Sequence, residues 1–310
     1  MELSLLLMKE IIKLFVIMGM GYVVVKAGLM KSSESKSLSV VIVYLVTPCV
    51  IINAFQVKAT AETQKGLFLA FAAAIAVHLF LLLITFILKK PLHLDVVERA
   101  TVIYTNAGIL VIPLVRKLLG QEYVIYSSAF IIVQVVLLWT HCKSMLCEEK
   151  TIEWKKIIFN VNLISTAIGV CFFLLHIELP EDMQDILNTM SNLLGPLGML
   201  LAGMVIAEIP LSAVFSRKRE YLPAALRLLI CPALVLILMK LFYHFSGGTD
   251  VRNILLTVYL ASITPACTMV TSMAQLYEKD AAYASSLYVL TTLLSIITMP
   301  VMVYLFQMGV

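Results

Sequence analysis

Thr105, Asn106 and Gly108 stand shortly before Pro113, and Ser262 and Thr264 stand just before Pro265. These residues are neutral, so none is suited to acid–base or nucleophilic chemistry at physiological pH. They can hold an anion: three hydroxyls and an amide can donate hydrogen bonds, and glycine allows close backbone approach. Each proline removes a backbone donor and disrupts the helix around it. Both sets lie in apolar stretches, where loosened backbone is tolerated only if protein or a water-filled cavity satisfies it. A matched pair of interrupted segments points to a binding site near the bilayer midplane. Half-helices that begin at such breaks turn their positive ends toward it, and their free N–H groups can hold a carboxylate. Gln134 sits mid-span, where an amide must find a partner; it either faces the same cavity or bonds to another helix.

The elements that must position these residues are membrane helices. Of 310 residues, 61% are hydrophobic and 14% charged, and the mean hydropathy is +0.99. A soluble chain is about half apolar and about a quarter charged. A span needs roughly 20 apolar residues, and about ten candidates follow: 4–26, 37–55, 66–88, 97–117, 122–146, 157–177, 185–207, 221–243, 252–275 and 283–306. The expected fold is therefore an all-α membrane protein with predicted spans 4 and 9 broken. The N-terminal segment carries Lys9, Glu10 and Lys13 and is expected to be the first span, not a cleaved leader.

Connections after odd-numbered spans hold 14 Lys and Arg, against 6 on the other side. The positive-inside rule then places both termini outside the cytoplasm of a multi-pass cell-membrane protein. The formal charge of +4 belongs to cytoplasmic loops, and no nucleic-acid partner is expected.

Four in-span prolines reveal a repeat. Pro48 and Pro113 are 65 residues apart, and Pro196 and Pro265 are 69 apart. Pro48 to Pro196 is 148 residues, and Pro113 to Pro265 is 152. The chain thus divides into a five-span repeat over 1–146, a charged cytoplasmic linker over 147–156, and a second five-span repeat over 157–310. An odd span number makes the repeats inverted.

Other polar residues read as structural. Glu10 and Lys13 form an ion pair near the outer end of span 1. Glu98 and Arg99 mark a solvated cytoplasmic end. Arg227 snorkels to headgroups, and His78 is a hydrogen-bonded core histidine in preference to a proton relay. The six cysteines form no CxxC pair, and neither disulfide nor metal site is expected. No zinc-binding His-Glu motif, nucleophile elbow or P-loop is present. No enzyme activity, cofactor or ATP drive is expected.

Several segments carry a family resemblance. Asn106-Ala107-Gly108-Ile109-Leu110-Val111-Ile112-Pro113 is similar to the Asn-x-Gly-x-x-Gly-x-Pro pattern of the auxin efflux carrier family, with Val111 in place of the second glycine. Val46-Thr47-Pro48-Cys49, Leu194-Gly195-Pro196-Leu197-Gly198, Thr264-Pro265-Ala266 and Tyr277-Glu278-Lys279-Asp280 resemble other family segments. The family's Asn-Pro opening of span 6 is Asn160-Val161 here. The resemblance implies a scaffold of spans 1, 2, 6 and 7, carrying Pro48 and Pro196, and a transport domain of spans 3–5 and 8–10. It implies substrate at the crossover of spans 4 and 9, an elevator motion, and pairing of two copies through the scaffold. Gln134 resembles a glutamine near the family's substrate cavity, and Glu62 an acidic site at the start of span 3.

The expectation is a secondary carrier, an exporter, of a small organic anion or carboxylate. Its substrate site is Thr105, Asn106, Gly108, Gln134, Ser262 and Thr264, with helix breaks at Pro113 and Pro265. Two alternatives stand beside it. One is a sodium- or proton-coupled organic-acid symporter of the bile-acid symporter type; the other is a non-transporting membrane receptor.

Overall fold

A computed structural model describes residues 2–147, 159–208, 210–246 and 250–309. Apart from Cys147, the expected linker over 147–156 lies outside the described residues. Among the described residues the fold is helical, with no strand beyond one isolated bridge. The principal helices are α1 (Glu2–Lys26), α2 (Ser37–Ala54), α3 (Ala61–Leu88), α4 (Val96–Ile103), α5 (Ala107–Leu118), α6 (Gln121–Cys147), α7 (Val161–Leu174), α8 (Glu181–Ile206), α9 (Lys218–Phe245), α10 (Val251–Ser262), α11 (Thr268–Leu276) and α12 (Ala281–Gly309). Six of these, α2, α3, α6, α8, α9 and α12, are long and apolar enough to cross a bilayer; α7 and α10 are shorter apolar helices.

The helices begin where local chemistry starts them. Asp95 and Glu98 form a reciprocal capping box before α4: Glu98 N–H donates to Asp95 Oδ1 at 2.7 Å, and Asp95 N–H to Glu98 Oε2 at 2.9 Å. Thr60 caps α3 through Thr63 N–H, and Asn160 caps α7 through Asn162 N–H. Gly120, at φ 119°, turns the chain from α5 into α6, a conformation that favours glycine.

Burial is inverted relative to a soluble bundle. α3 exposes Phe68, Ile75, Leu79, Leu83 and Phe86 and buries Gly66, Ala70, Ala73, Val77 and Leu81. Most of its large apolar side chains face outward and small ones dominate the face toward the protein, which suits lipid as solvent and lets helices approach closely. α1 and α8 approach closely. A Cβ at Gly203 would overlap the Met18 carbonyl oxygen, and one at Gly21 would overlap that of Leu200.

Three long helices contain a wider i→i+5 turn: Ile42–Val46 in α2, Leu138–Cys142 in α6 and Leu226–Ile230 in α9. Two of these turns lie immediately before Thr47-Pro48 and Cys231-Pro232. A proline ring clashes with the carbonyl one turn back, and the wider turn makes room for it. Thr47 Oγ1 also donates to the Ile42 carbonyl at 2.8 Å.

Candidate functional site

The helix pairs α4/α5 and α10/α11 break at the same place in space. Between α4 and α5 the chain is extended at Tyr104, with φ −96° and ψ 134°. Thr105 pairs with Ala266 as an antiparallel bridge. Asn106 N–H donates to the Pro265 carbonyl at 2.8 Å, and Cys267 N–H to the Tyr104 carbonyl at 3.2 Å. Two short extended segments thus satisfy each other's backbone in the protein interior, as buried backbone must be satisfied.

A side chain from a later helix completes each side. Gln134 of α6 takes Thr105 N–H at 2.9 Å and Thr105 Oγ1–H at 2.8 Å on its Oε1, and donates its amide to the Thr105 carbonyl at 2.8 Å. Thr291 of α12 accepts Ala266 N–H at 3.2 Å. Gln134 is thereby tied to the break between α4 and α5.

Arg227 secures the other ends. It lies in the wide turn of α9 and is fully buried. Nη1 donates to the Val102 carbonyl at 2.9 Å, Nε and Nη2 to that of Thr264 at 3.0 and 2.9 Å, and Nη2 also to that of Ser262. One guanidinium therefore caps the C-terminal ends of α4 and α10, where helix dipoles place negative partial charge. Arg227 does not snorkel to headgroups. Its partner carbonyls lie 35 to 125 positions away in sequence, so no local pattern announces them.

The expected site residues divide into two groups. Thr105, Ser262, Thr264 and Gln134 are buried and already bonded: Ser262 Oγ donates to the Tyr259 carbonyl at 2.7 Å and Thr264 Oγ1 to that of Ala261 at 3.1 Å. Asn106 and Gly108 differ. Asn106 precedes α5 without capping it by its side chain, and its amide has no partner among the described residues. A Cβ at Gly108 would meet nothing within 4 Å, so open space adjoins the first turn of α5. The first intrahelical bond of that turn is Leu110 N–H to Asn106 O, which leaves the N–H groups of Ala107, Gly108 and Ile109 ahead of it without intrahelical acceptors.

Pro265 sits in the break between α10 and α11, whereas Pro113 lies inside α5, beyond the interruption at Tyr104–Asn106. A proline within a helix can be carried one turn past the break, and its ring packs against α8 beside Gly195. Pro48 opens the helical turn after the wide turn of α2, and Pro196 lies early in Leu194–Ile206 of α8.

Glu98 also departs from expectation. It is buried, not solvated, and accepts Arg219 Nε at 2.6 Å, Arg219 Nη2 at 2.7 Å and Tyr283 O–H at 2.8 Å. Glu10 and Lys13 pair at 2.6 Å. His78 is buried, with Nδ1 2.8 Å from the Ala74 carbonyl and its ring against Phe130. A cavity of about 970 Å³ lies apart from the paired breaks. It is bounded by the starts of α3, α6 and α10 and the end of α9, with Glu62, Lys65, Tyr126 and Asp250 among its lining.

Apolar helices around a pair of buried, mutually bonded helix breaks define a multi-pass membrane protein of the transporter class. The chain belongs to the membrane transport protein family, the auxin efflux carriers, whose match covers residues 6–153 and 143–303. It is 28% identical over 155 residues to a protein of Rhizobium meliloti (strain 1021) named "Putative malonate transporter". That match takes in 50% of this chain and 46% of the relative, so the chain spans about half the length of the curated relative it matches.

Proposed function

We propose that this protein is a secondary carrier of small organic anions, with a carboxylate held at the first turn of α5. The observation that carries the reading is the pairing of an unpartnered Asn106 amide with the open space beside Gly108. Three N–H groups without intrahelical acceptors and a helix dipole end lie at that turn. Arg227 adds a buried positive charge nearby, and no carboxylate among the described residues forms an ion pair with it. Dicarboxylates such as malonate, the compound in the relative's name, are the first substrates to test.

The breaks act as the crossover of two inverted five-span repeats. The matching roles of Gln134 on Thr105 and Thr291 on Ala266 support that relation. The scaffold comprises α1, α2, α7 and α8; the transport domain comprises α3–α6 and α9–α12. Both termini lie outside the cytoplasm. The transport domain carries the anion across as an elevator, and over a full cycle an inside-negative potential drives a single negative charge outward by about 2.3 kcal/mol per 100 mV. Thr105, Gln134, Ser262 and Thr264 keep the breaks in shape, while Asn106 and Gly108 meet the anion.

The test is Asn106→Ala in proteoliposomes loaded with labelled malonate. Loss of one charge-assisted hydrogen bond, about 1.5–3 kcal/mol, lowers flux by more than tenfold while the melting temperature stays near wild type. Flux equal to wild type would remove Asn106 from the site.

A further inference from the structure

The face of α5 that carries Ile109 and Pro113 packs along α8, whose glycines admit it. A Cβ at Gly198 would overlap Ile109 Cγ2, and one at Gly195 would lie 3.2 Å from Pro113 Cγ. The next residue on that face is Arg116, and the next on α8 is Asn192. Arg116 Nη1 donates to Asn192 Oδ1 at 2.9 Å. Its Nε and Nη2 are both buried and have no hydrogen-bond partner among the described residues. No carboxylate among those residues forms an ion pair with it.

Nε and Nη2 form one edge of the guanidinium. Their parallel N–H groups match the two oxygens of a carboxylate. Leaving that edge dry and unpaired costs several kcal/mol, and one carboxylate would satisfy both donors. Asn192 fixes the opposite edge and so aims the free one.

We propose that Arg116 is a carboxylate capture site where α5 packs on α8, separate from the inner site. It lies ten residues from Asn106, about 15 Å along the helix axis, on the outer side in the orientation above. Fork geometry selects carboxylates over neutral analogues of the same shape. The inference rests on the carrier reading, because it supplies that carrier's outer docking step.

Phenylglyoxal labelling of the purified full-length protein, resolved at the Arg116 peptide by mass spectrometry, tests the site. The free edge reacts without ligand. Malonate slows the reaction about tenfold at about ten times its half-protecting concentration, and neutral malonamide does not. Protection persists in Asn106→Ala, because the capture site does not need the inner one. Equal labelling with and without malonate overturns the proposal. So does an Arg116 that never reacts, or protection lost in Asn106→Ala. Malonate flux through wild-type liposomes separates the two readings: protection without flux sinks the carrier and leaves a carboxylate site, whereas flux without protection does the reverse.

Discussion

At the scale of single residues, Arg227 organises the buried breaks more than any residue at the breaks themselves. It satisfies carbonyls on both α4 and α10. Arg227→Met removes those donors and strands three acceptors in a dry interior. The expected loss is about 3–5 kcal/mol of stability, read as a lower unfolding midpoint in detergent, with Arg227→Lys falling between it and wild type. A midpoint unmoved by the methionine change would mean that other groups satisfy those carbonyls. Asn106, Gly108, Ser262 and Thr264 were legible in the sequence because small polar residues beside proline are unusual in an apolar run. Arg227 was not, because a cation near the start of a predicted span looks like any snorkelling residue until its distant partners are known. Thr291 was hidden for the same reason: a threonine in a 29-residue apolar helix carries no mark of the backbone it serves.

At the scale of elements, hydropathy located the long helices well. The predicted spans 37–55, 66–88 and 122–146 overlie Ser37–Ala54, Ala61–Leu88 and Gln121–Cys147. The structure of the broken spans was only half legible. Proline signalled an interruption, but the break before α5 falls upstream of Pro113, where Tyr104 turns extended. The wide turns left no sign beyond the prolines that follow two of them. Glycines were informative by position only after the fold was known. Gly203→Ala sets a methyl against the Met18 carbonyl oxygen, which is backbone and cannot swing aside. Forcing α1 and α8 apart should cost about 1–3 kcal/mol, measurable as a fall in melting temperature. Gly19→Ala on α1, where a Cβ meets nothing within 4 Å, is the matched control and should melt like wild type.

At the scale of the whole molecule, the proline spacing suggested a repeat, and the pairing of the two breaks runs at a different offset. Aligning Pro113 with Pro265 gives a 152-residue offset, whereas the bridge sets Thr105 opposite Ala266, 161 apart. Prolines mark where a helix is strained; hydrogen bonds mark where the chain is shared, and the two need not coincide.

The buried guanidinium has an electrical consequence. In the proposed motion Arg227 travels with the transport domain. A bound monocarboxylate cancels its charge, so the loaded domain crosses the field carrying almost no net charge. The empty domain returns carrying one positive charge, worth about 2.3 kcal/mol per 100 mV. Membrane voltage then acts on the return and not on the delivery. Voltage jumps on empty protein in a planar bilayer should evoke a transient capacitive current that saturating monocarboxylate suppresses. A dicarboxylate should restore it with reversed sign, because the loaded domain is then the charged one. A current that ignores both ligands would mean that Arg227 stays still while the substrate moves.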